Sequence, residues 1–530
     1  MRKLLGQCIL ILLSITCWCQ NNSVFNCHSY MPYDSFLYNS ESRFHTSVKP
    51  YDVNEVNTIV NIDSLYVKHC KNKVLNYALN NNIIQYKSKD FNFTINPAFN
   101  FELSNHNGEN NDKTGWINDR GVFINGNITD QVYFYTAFHE IQSDYSDYRR
   151  NIISEFGTVP GMCSPRKLGD GTVLDYAYSE GYASFIPNKH LGFQLGYGKN
   201  FIGDGYRSLM LSDNTQNHPY CKITSNFGPI KYTLLWAQQH YTQPNHKIFV
   251  RYSIKWNTVH YFDWVVCPQF AIGFFQAIMT GSDSTNTGNF NLHYLNPLPF
   301  VVPQENAEGA KDNCIIGLNE KLTLWKNHVL YSQIVLNTNN CKGKELFKGN
   351  GYWGNRYAFQ IGYKTFDIAK IKNLDFQTEF NYIRPFMYAH ETRSEAYNHA
   401  KQPLAHPRGA NLYESVSFLH YNWKRIFLQM KYEYLVYGKD TTNSNMGGNI
   451  AKTIVTRSQD NNNATTQSGN RNIITYSDFA VSYLLNPNSA MNVTFGISHR
   501  RQSSELEAPK NQWLYYIGFR TNLDNFYYDL

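Results

Sequence analysis

The chain repeatedly alternates apolar and polar residues with a period of two. In the stretch NRYAFQIGYKTF, Phe359 and Ile361 fall on one side, and Gln360 and Lys364 fall on the other. The stretches LDFQTEFNYI and FLQMKYEYLV repeat this arrangement. Because successive side chains of a strand point to opposite faces, these stretches predict strands with one apolar face and one charged face.

About eighteen such segments can be placed along the chain. They start near residues 91, 116, 128, 174, 190, 219, 229, 247, 265, 313, 329, 351, 373, 410, 424, 472, 489 and 511. Their connections alternate between tight turns, such as 125–127 and 486–488, and long loops, such as 142–173 and 439–471. Bacterial outer-membrane barrels have short periplasmic turns, longer outer loops and an even number of strands.

The pattern therefore predicts an all-β fold, an antiparallel transmembrane outer-membrane β-barrel of about 18 strands with a short N-terminal helical segment. A secreted soluble β-protein is the alternative. A propeller or solenoid would show a repeat of fixed length, and the sequence shows none.

Composition agrees with a barrel. Aromatic residues make up 16% of the chain, with 40 Tyr and 34 Phe, yet the mean hydropathy is -0.48. Lipid-facing aromatic residues that alternate with lumen-facing polar ones explain both values. The net charge of +7 is not gathered into basic blocks, so we expect no nucleic acid as a partner.

The N-terminus suggests export. Residues 1–19 place Arg2 and Lys3 before an apolar run, which is typical of a cleaved signal peptide. Residues 20–90 form a predicted periplasmic or plug-like segment, with a short helix in DSLYVKHCKNKVLNYALNN, and residues 91–530 form the predicted barrel with long extracellular loops. Outside the signal, no window has the roughly 18 apolar residues of a membrane helix.

The cysteine pattern does not suggest a metal site. Of ten cysteines, three lie in the predicted signal, which leaves seven with no CxxC pair among them. We expect small apolar side chains with at most one disulfide, whose pairing the sequence does not define. No cofactor and no metal are predicted.

Catalytic motifs are missing too. The sequence has neither HExxH nor GxSxG, and a strand would point His139 and Glu140 of FHEIQS to opposite faces. We therefore expect no catalytic residue and no enzymatic activity.

The stretch FIGDGYRSLMLSDN, from Phe201 to Asn214, lies in a predicted outer loop. Its GDG lacks the spacing of a phosphate-binding loop and the helix that follows one. Two interpretations remain: its polar side chains hydrogen-bond the loop inside the lumen, or they and its aromatic residue bind carbohydrate at the outer mouth. The candidate loop and glycan-contact residues here and in the stretch from Arg384 are Asp204, Tyr206, Arg207, Asp213, Asn214, Arg384, His390, His406 and Arg408.

Several long motifs carry a family resemblance. LGYGKNFIGDGYRSLMLSDN, WINDRGVFINGNITDQVYFYTAFHEIQ, RPFMYAHE and QPLAHPRGANLYE resemble the Bacteroidetes outer-membrane proteins of the gliding motility RemB family. Those proteins look like distant relatives of the Wzi-type capsule assembly proteins, which carry a comparable Gly-rich loop. Arg408 departs from the family pattern, which has an apolar residue there.

The resemblance implies a function at the cell surface. It implies a non-enzymatic outer-membrane barrel that attaches or assembles surface polysaccharide (capsule), or that supports gliding motility and adhesion. The expected partners are outer-membrane lipid, surface polysaccharide, and gliding or adhesin machinery. A porin-like channel for small solutes is the alternative, because an eighteen-stranded barrel can hold an aqueous channel.

Overall fold

Eighteen antiparallel strands close into one barrel. The computed structural model describes residues 22–23, 27–65, 72–107, 112–129, 131–242, 252–281, 290, 292–297, 312–338, 351–441, 443–458, 464–521 and 527–529. Twenty strands belong to the barrel sheet, and two of them, Ile84–Lys87 and Arg166–Leu168, are short pieces that pair with the ends of longer strands. The remaining eighteen confirm the predicted fold class.

The barrel strands are numbered in chain order. They are β1 Phe91–Asn107, β2 Asp112–Ile128, β3 Val132–Asp144, β4 Val173–Asn188, β5 Leu191–Gly198, β6 His218–Phe227, β7 Ile230–Thr242, β8 Tyr252–Cys267, β9 Phe270–Thr280, β10 Asn313–Leu324, β11 His328–Asn337, β12 Tyr357–Thr365, β13 Leu374–Ile383, β14 Leu412–Trp423, β15 Ile426–Lys439, β16 Asn470–Asn486, β17 Met491–Ser504 and β18 Lys510–Arg520. Each strand pairs with the next, and β18 closes on β1 with Leu514 opposite His106.

Short and long connections lie at opposite ends of the barrel, as the sequence predicts. The turn end carries connections such as 228–229 and 424–425, and the loop end carries connections such as 145–172 and 384–411. Two strand starts differ by five or six residues: β9 begins at Phe270 and β12 at Tyr357, not near 265 and 351, whereas the predicted start of β8 near 247 lies outside the described residues. Alternation alone does not mark where a strand leaves the sheet, so the predicted start of β12 fell within the preceding turn residues.

The two faces of the strands follow the predicted alternation. Ile361, Phe380 and Met430 point outward and are 58%, 38% and 51% exposed. Gln360 and Glu379 point into the lumen and are buried. The outward side chains form the apolar belt that a bilayer requires.

Within the described residues, four α-helices accompany the barrel: α1 Cys27–Leu37, α2 Val53–Asn57, α3 Lys73–Asn80 and α4 Asp147–Phe156. Helix α3 lies in the stretch where the sequence predicts a helix, whereas α1, α2 and α4 are additional. Helix α4 ends at Phe156, and the next residue, Gly157, has a left-handed φ of 71° that suits glycine. Among the helices of the described ranges, none has the length and apolarity to cross a membrane.

The segment before the barrel packs inside it. Tyr33 and Leu37 of α1 share an apolar cluster with Val329 of β11 and with Phe366 at the turn end. Further along, the two-residue strand Val48–Lys49 pairs with Phe201–Ile202 of the loop between β5 and β6. This segment therefore fills part of the lumen and contacts a loop that enters from the opposite end.

Four cysteines have free thiols in the structure. They are Cys163, Cys221, Cys267 and Cys314. Cys70, Cys341 and the predicted signal peptide lie outside the described residues.

Candidate functional site: a loop network in the lumen

The loop between β5 and β6 folds into the barrel. Residues 199–217 are buried except for Tyr206 and Gln216, which are half-buried. Gly203 has a φ of 149°, a conformation that side chains disfavour. A Cβ on Gly205 would lie 2.7 Å from an oxygen of Glu379. The glycines thus let the backbone turn back and approach the barrel wall closely.

Arg207 lies at the centre of this loop and is fully buried. Its Nε and Nη2 donate to Glu414 at 3.1 and 2.8 Å, and its Nη2 also donates to Asp529 at 3.0 Å. The guanidinium also lies against the rings of Tyr206 and Tyr527, whose centroids are 4.7 and 5.0 Å away. Burial lowers the pKa of Arg207, but the surrounding carboxylates outweigh it and hold the pKa well above its ordinary value.

Glu379 of β13 fixes the backbone of the same loop. Its carboxylate accepts the N–H groups of Tyr206 and Arg207 at 2.8 and 3.0 Å, and the hydroxyl of Tyr331 at 3.0 Å. Such charge-assisted bonds are stronger than neutral ones. A single wall residue therefore holds two consecutive peptide groups in place.

Residues 527–529, which come after the last strand, lie in the lumen. Tyr527 donates to Asp213 at 2.6 Å. Asp529 accepts the hydroxyl of Tyr206 at 3.0 Å and contacts the ammonium of Lys431. Burial raises the pKa of Asp529, but Arg207 and Lys431 outweigh it and hold the pKa well below its ordinary value. Sequence reasoning missed this segment, although the run FYYD after β18 carries the aromatic and acidic side chains involved.

Asp204 joins the loop to the N-terminal segment. It accepts the hydroxyls of Tyr38 and Thr46 at 3.0 and 2.6 Å, and the amide of Asn319 at 3.0 Å. Burial raises its pKa, but Lys321 and Lys49 outweigh it, so the pKa lies below its ordinary value. The loop is thus bonded to segments near both chain termini.

The loop 384–411 covers the buried loop from the outside. Tyr388 and Tyr397 donate their hydroxyls to the carbonyls of Leu209 and Met210 at 2.8 and 2.9 Å. The N–H of Ser212 donates to the carbonyl of Leu404 at 2.7 Å. We call the loops 384–411 and 443–458 the cap.

The predicted residues of the cap have internal partners. His406 lies 3.0 Å from Glu414, so it joins the network of Arg207. His390 instead contacts Glu395 at 2.8 Å. Arg408 pairs with Glu155 of α4 at 3.3 Å and contacts Tyr437, and Arg384 donates to the carbonyl of Ala464 at 2.9 Å.

Eight of the nine candidate residues thus form two groups. The network that spans the lumen contains Asp204, Tyr206, Arg207, Asp213 and His406, whereas His390, Arg384 and Arg408 hold separate parts of the cap. Asn214 is buried in the same loop, and its Oδ1 accepts no hydrogen bond from the described residues. Seven of the nine are less than 9% exposed, and Tyr206 and Arg384 are half-buried. A direct contact of these residues with a glycan stays a prediction.

The described part of the chain offers no group of three or more His, Cys, Asp and Glu that could hold a metal ion.

His139 points into the lumen, where it lies 3.0 Å from Asp119. Glu140 points outward, with a side chain that is 54% exposed. The predicted orientation of this pair is therefore confirmed.

A cavity of about 900 Å³ lies beside the network. It is bounded by the inner faces of β1–β6 and β14–β18 and by parts of both terminal segments. The lumen is therefore packed on one side and hollow on the other.

The closed barrel, its apolar outer belt and its partly filled lumen define an outer-membrane β-barrel protein. The fold is similar to that of Wzi from Escherichia coli, described as an outer-membrane protein involved in group 1 capsule assembly and as a carbohydrate-binding β-barrel. The two chains are 11% identical over 95% of this chain and 100% of Wzi, with a TM-score of 0.55.

Two further outer-membrane barrels match with lower scores. OccAB4 of Acinetobacter baumannii is 9% identical over 82% of this chain and 98% of its own, with a TM-score of 0.41. OprD of Pseudomonas aeruginosa is 10% identical over 80% and 94%, with a TM-score of 0.40. No protein-family model and no curated protein matches the chain, so membership of the RemB family and an origin in Bacteroidetes stay predictions.

Proposed function

We propose that this protein is a non-enzymatic outer-membrane barrel that attaches or assembles surface polysaccharide at its loop end. The burial of Arg207 among three carboxylates carries the proposal. Its Nη2 lies 2.8, 3.0 and 3.6 Å from Glu414, Asp529 and Glu433. An eighteen-stranded barrel has room for an aqueous channel, but here packed side chains occupy the centre. The loop end thus becomes a rigid platform, which suits binding.

The shared fold with Wzi supports this proposal. Wzi is described as carbohydrate-binding and as involved in capsule assembly. The proposal transfers that role to this chain. A role in gliding motility or adhesion rests on the sequence resemblance to RemB alone.

The outer surface of the cap supplies polar groups for such a ligand. Glu391, Arg393, Lys401 and Thr456 are exposed there. The buried candidate residues would act indirectly in this scheme, because they position the cap. Exposed arginine and lysine suit acidic or phosphorylated sugars, and exposed hydroxyl and carboxylate groups suit sugar hydroxyls.

A binding assay tests the proposal. Purified protein is applied to an array of bacterial surface polysaccharides, together with the double variant Arg393→Glu and Lys401→Glu. The matched control is Lys424→Glu, which reverses an exposed charge at the turn end. We expect the double variant to bind about tenfold more weakly and the control to bind like the parent. If no polysaccharide binds, or if both variants lose binding equally, the proposal is wrong.

A porin-like channel is the second candidate function, and the 900 Å³ cavity favours it. Single-channel recording of the refolded protein separates the two. If the loop network closes the lumen, the protein should carry no steady current. Steady large currents would support the channel.

A further inference from the structure

We propose that the lumenal cavity is a binding site for a neutral oligosaccharide that enters from the turn end. The site is separate from the cap and goes beyond the function proposed above. Ligand pockets in proteins usually have volumes of about 300–1,000 Å³, and this cavity measures about 900 Å³.

The cavity extends over most of the height of the barrel. Its lining begins at turn-end residues that include Asn82 and Asn488, and Asn488 is exposed. It continues to Tyr145 and Arg149 near the loop end, both of which are buried. The accessible side of the cavity is therefore the turn end, where barrels of this type face the periplasm.

One wall of the cavity is a row of tyrosine rings. Tyr182 stacks with Tyr133 and with Tyr135, at centroid distances of 5.9 and 5.7 Å and interplanar angles of 30° and 27°. Tyr476 and Tyr516 line the cavity as well. Tyrosine combines a flat apolar face with a hydroxyl that donates and accepts hydrogen bonds. These two properties match a sugar ring, which has an apolar face and a rim of hydroxyls.

The lining also contains side-chain amides at the turn end of the cavity. Asn82, Asn125 and Asn492 line the cavity and are half-buried. An amide offers both an acceptor oxygen and a donor NH₂ group. A molecule with hydroxyl groups therefore fits this lining.

The carboxylates that line the cavity are already compensated, which bears on the class of ligand. Each of the five lining carboxylates holds a donor or a cation. Glu102 pairs with Arg149 at 3.2 Å and Asp119 with His139 at 3.0 Å, Glu180 and Asp478 accept tyrosine hydroxyls at 2.7 and 3.2 Å, and Asp529 contacts Lys431. A charged ligand would have to compete with these pairs. A neutral ligand can bind beside them.

The test uses the purified full-length barrel in detergent. Maltotriose, cellotriose and chitotriose are the neutral probes, trigalacturonic acid is the anionic probe, and binding is measured by titration calorimetry. We expect at least one neutral trisaccharide to bind and the anionic one to bind more weakly. No binding of any neutral probe overturns the proposal, and preferential binding of trigalacturonic acid overturns the class of ligand.

Variants locate the site. Ala480→Trp places an indole inside the cavity, whereas the matched variant Ala183→Trp places it on the exposed outer face of β4. We expect binding to weaken about tenfold or more in the first variant and to stay unchanged in the second. Tyr135→Ala, which removes one stacking ring without adding bulk, should also weaken binding about tenfold.

The variants also separate this site from the cap. If Ala480→Trp and Tyr135→Ala fold and bind like the parent, the trisaccharide binds elsewhere, and the proposal is wrong. The proposal that the cap binds polysaccharide would not be affected, because the array assay with Arg393→Glu and Lys401→Glu tests it independently.

Discussion

Arg207 and Asp529 form an ion pair across 3.0 Å, although 322 residues separate them in the chain. The pair links the loop between β5 and β6 to the residues that follow β18. It lies at the centre of the lumen, where Glu414 and Lys431 complete the charge balance.

Replacing Arg207 with Ala should destabilise the packed lumen. The change leaves Glu414, Glu433 and Asp529 without their shared guanidinium. Removing one partner of a buried ion pair typically costs about 3–5 kcal/mol. The free energy of unfolding in lipid vesicles and protease access to the loop measure the effect. Arg207→Lys keeps the positive charge but lacks the planar guanidinium, so it should lower the free energy of unfolding by less than Arg207→Ala does. A stable and protease-resistant Arg207→Ala barrel would contradict this role.

The lipid-facing side of the barrel can be tested by charge insertion. Ile361 lies in the middle of β12 and points outward, so Ile361→Arg should cost about 2–4 kcal/mol of stability in a bilayer. Asn105 also points outward but lies near the loop end of β1, and Asn105→Arg should cost about 0–1 kcal/mol. Equilibrium unfolding of both variants in vesicles measures the difference. Equal costs would mean that no hydrocarbon layer surrounds this belt.

The orientation of the barrel predicts a labelling pattern on intact cells. Ser458 lies in the cap and Asn488 lies in a connection at the turn end, and both are exposed. A cysteine at position 458 should react with a membrane-impermeant maleimide on whole cells, whereas a cysteine at 488 should react only after lysis. The parent protein supplies the background from its own cysteines. The reverse pattern would invert the barrel.

Asp529 is expected to keep the lumen closed. Asp529→Ala removes the carboxylate that Tyr206, Arg207 and Lys431 share, so the terminal segment should loosen and the cavity should extend across the centre. Planar-bilayer recording should then show current steps that the parent lacks. Glu507→Ala, in an exposed connection near the loop end, is the control. If the Asp529 variant stays electrically silent and the residues after β18 stay protected from proteolysis, another contact closes the lumen.

Sequence predicted the barrel because its physical signal is local. Alternation in residues such as Phe359, Gln360 and Ile361 reports directly on which face meets lipid and which meets the lumen. The parity of short and long connections then fixed the two ends. Local patterns are less informative at strand ends, which explains the shifted starts of β9 and β12.

The interior was harder to predict because its contacts are long-range. Nothing near Arg207 in the sequence indicates that Asp529 will pair with it, or that Tyr38 will donate to Asp204. Helix α1 has Pro32 inside it, which argues against a helix in a sequence reading. The candidate residues were found through the Gly-rich loop, but their burial depends on chain segments that alternation does not place.

The loop network has a consequence for the order of assembly. Because Asp529 comes after the last strand, its ion pair with Arg207 can form only after all eighteen strands of the barrel have been synthesised. Such distant contacts form slowly. We expect refolding to occur in two stages, a fast shift in gel mobility as the wall closes and a slower gain of protease resistance as the lumen fills. Simultaneous stages would show that the loop docks while the barrel is still open.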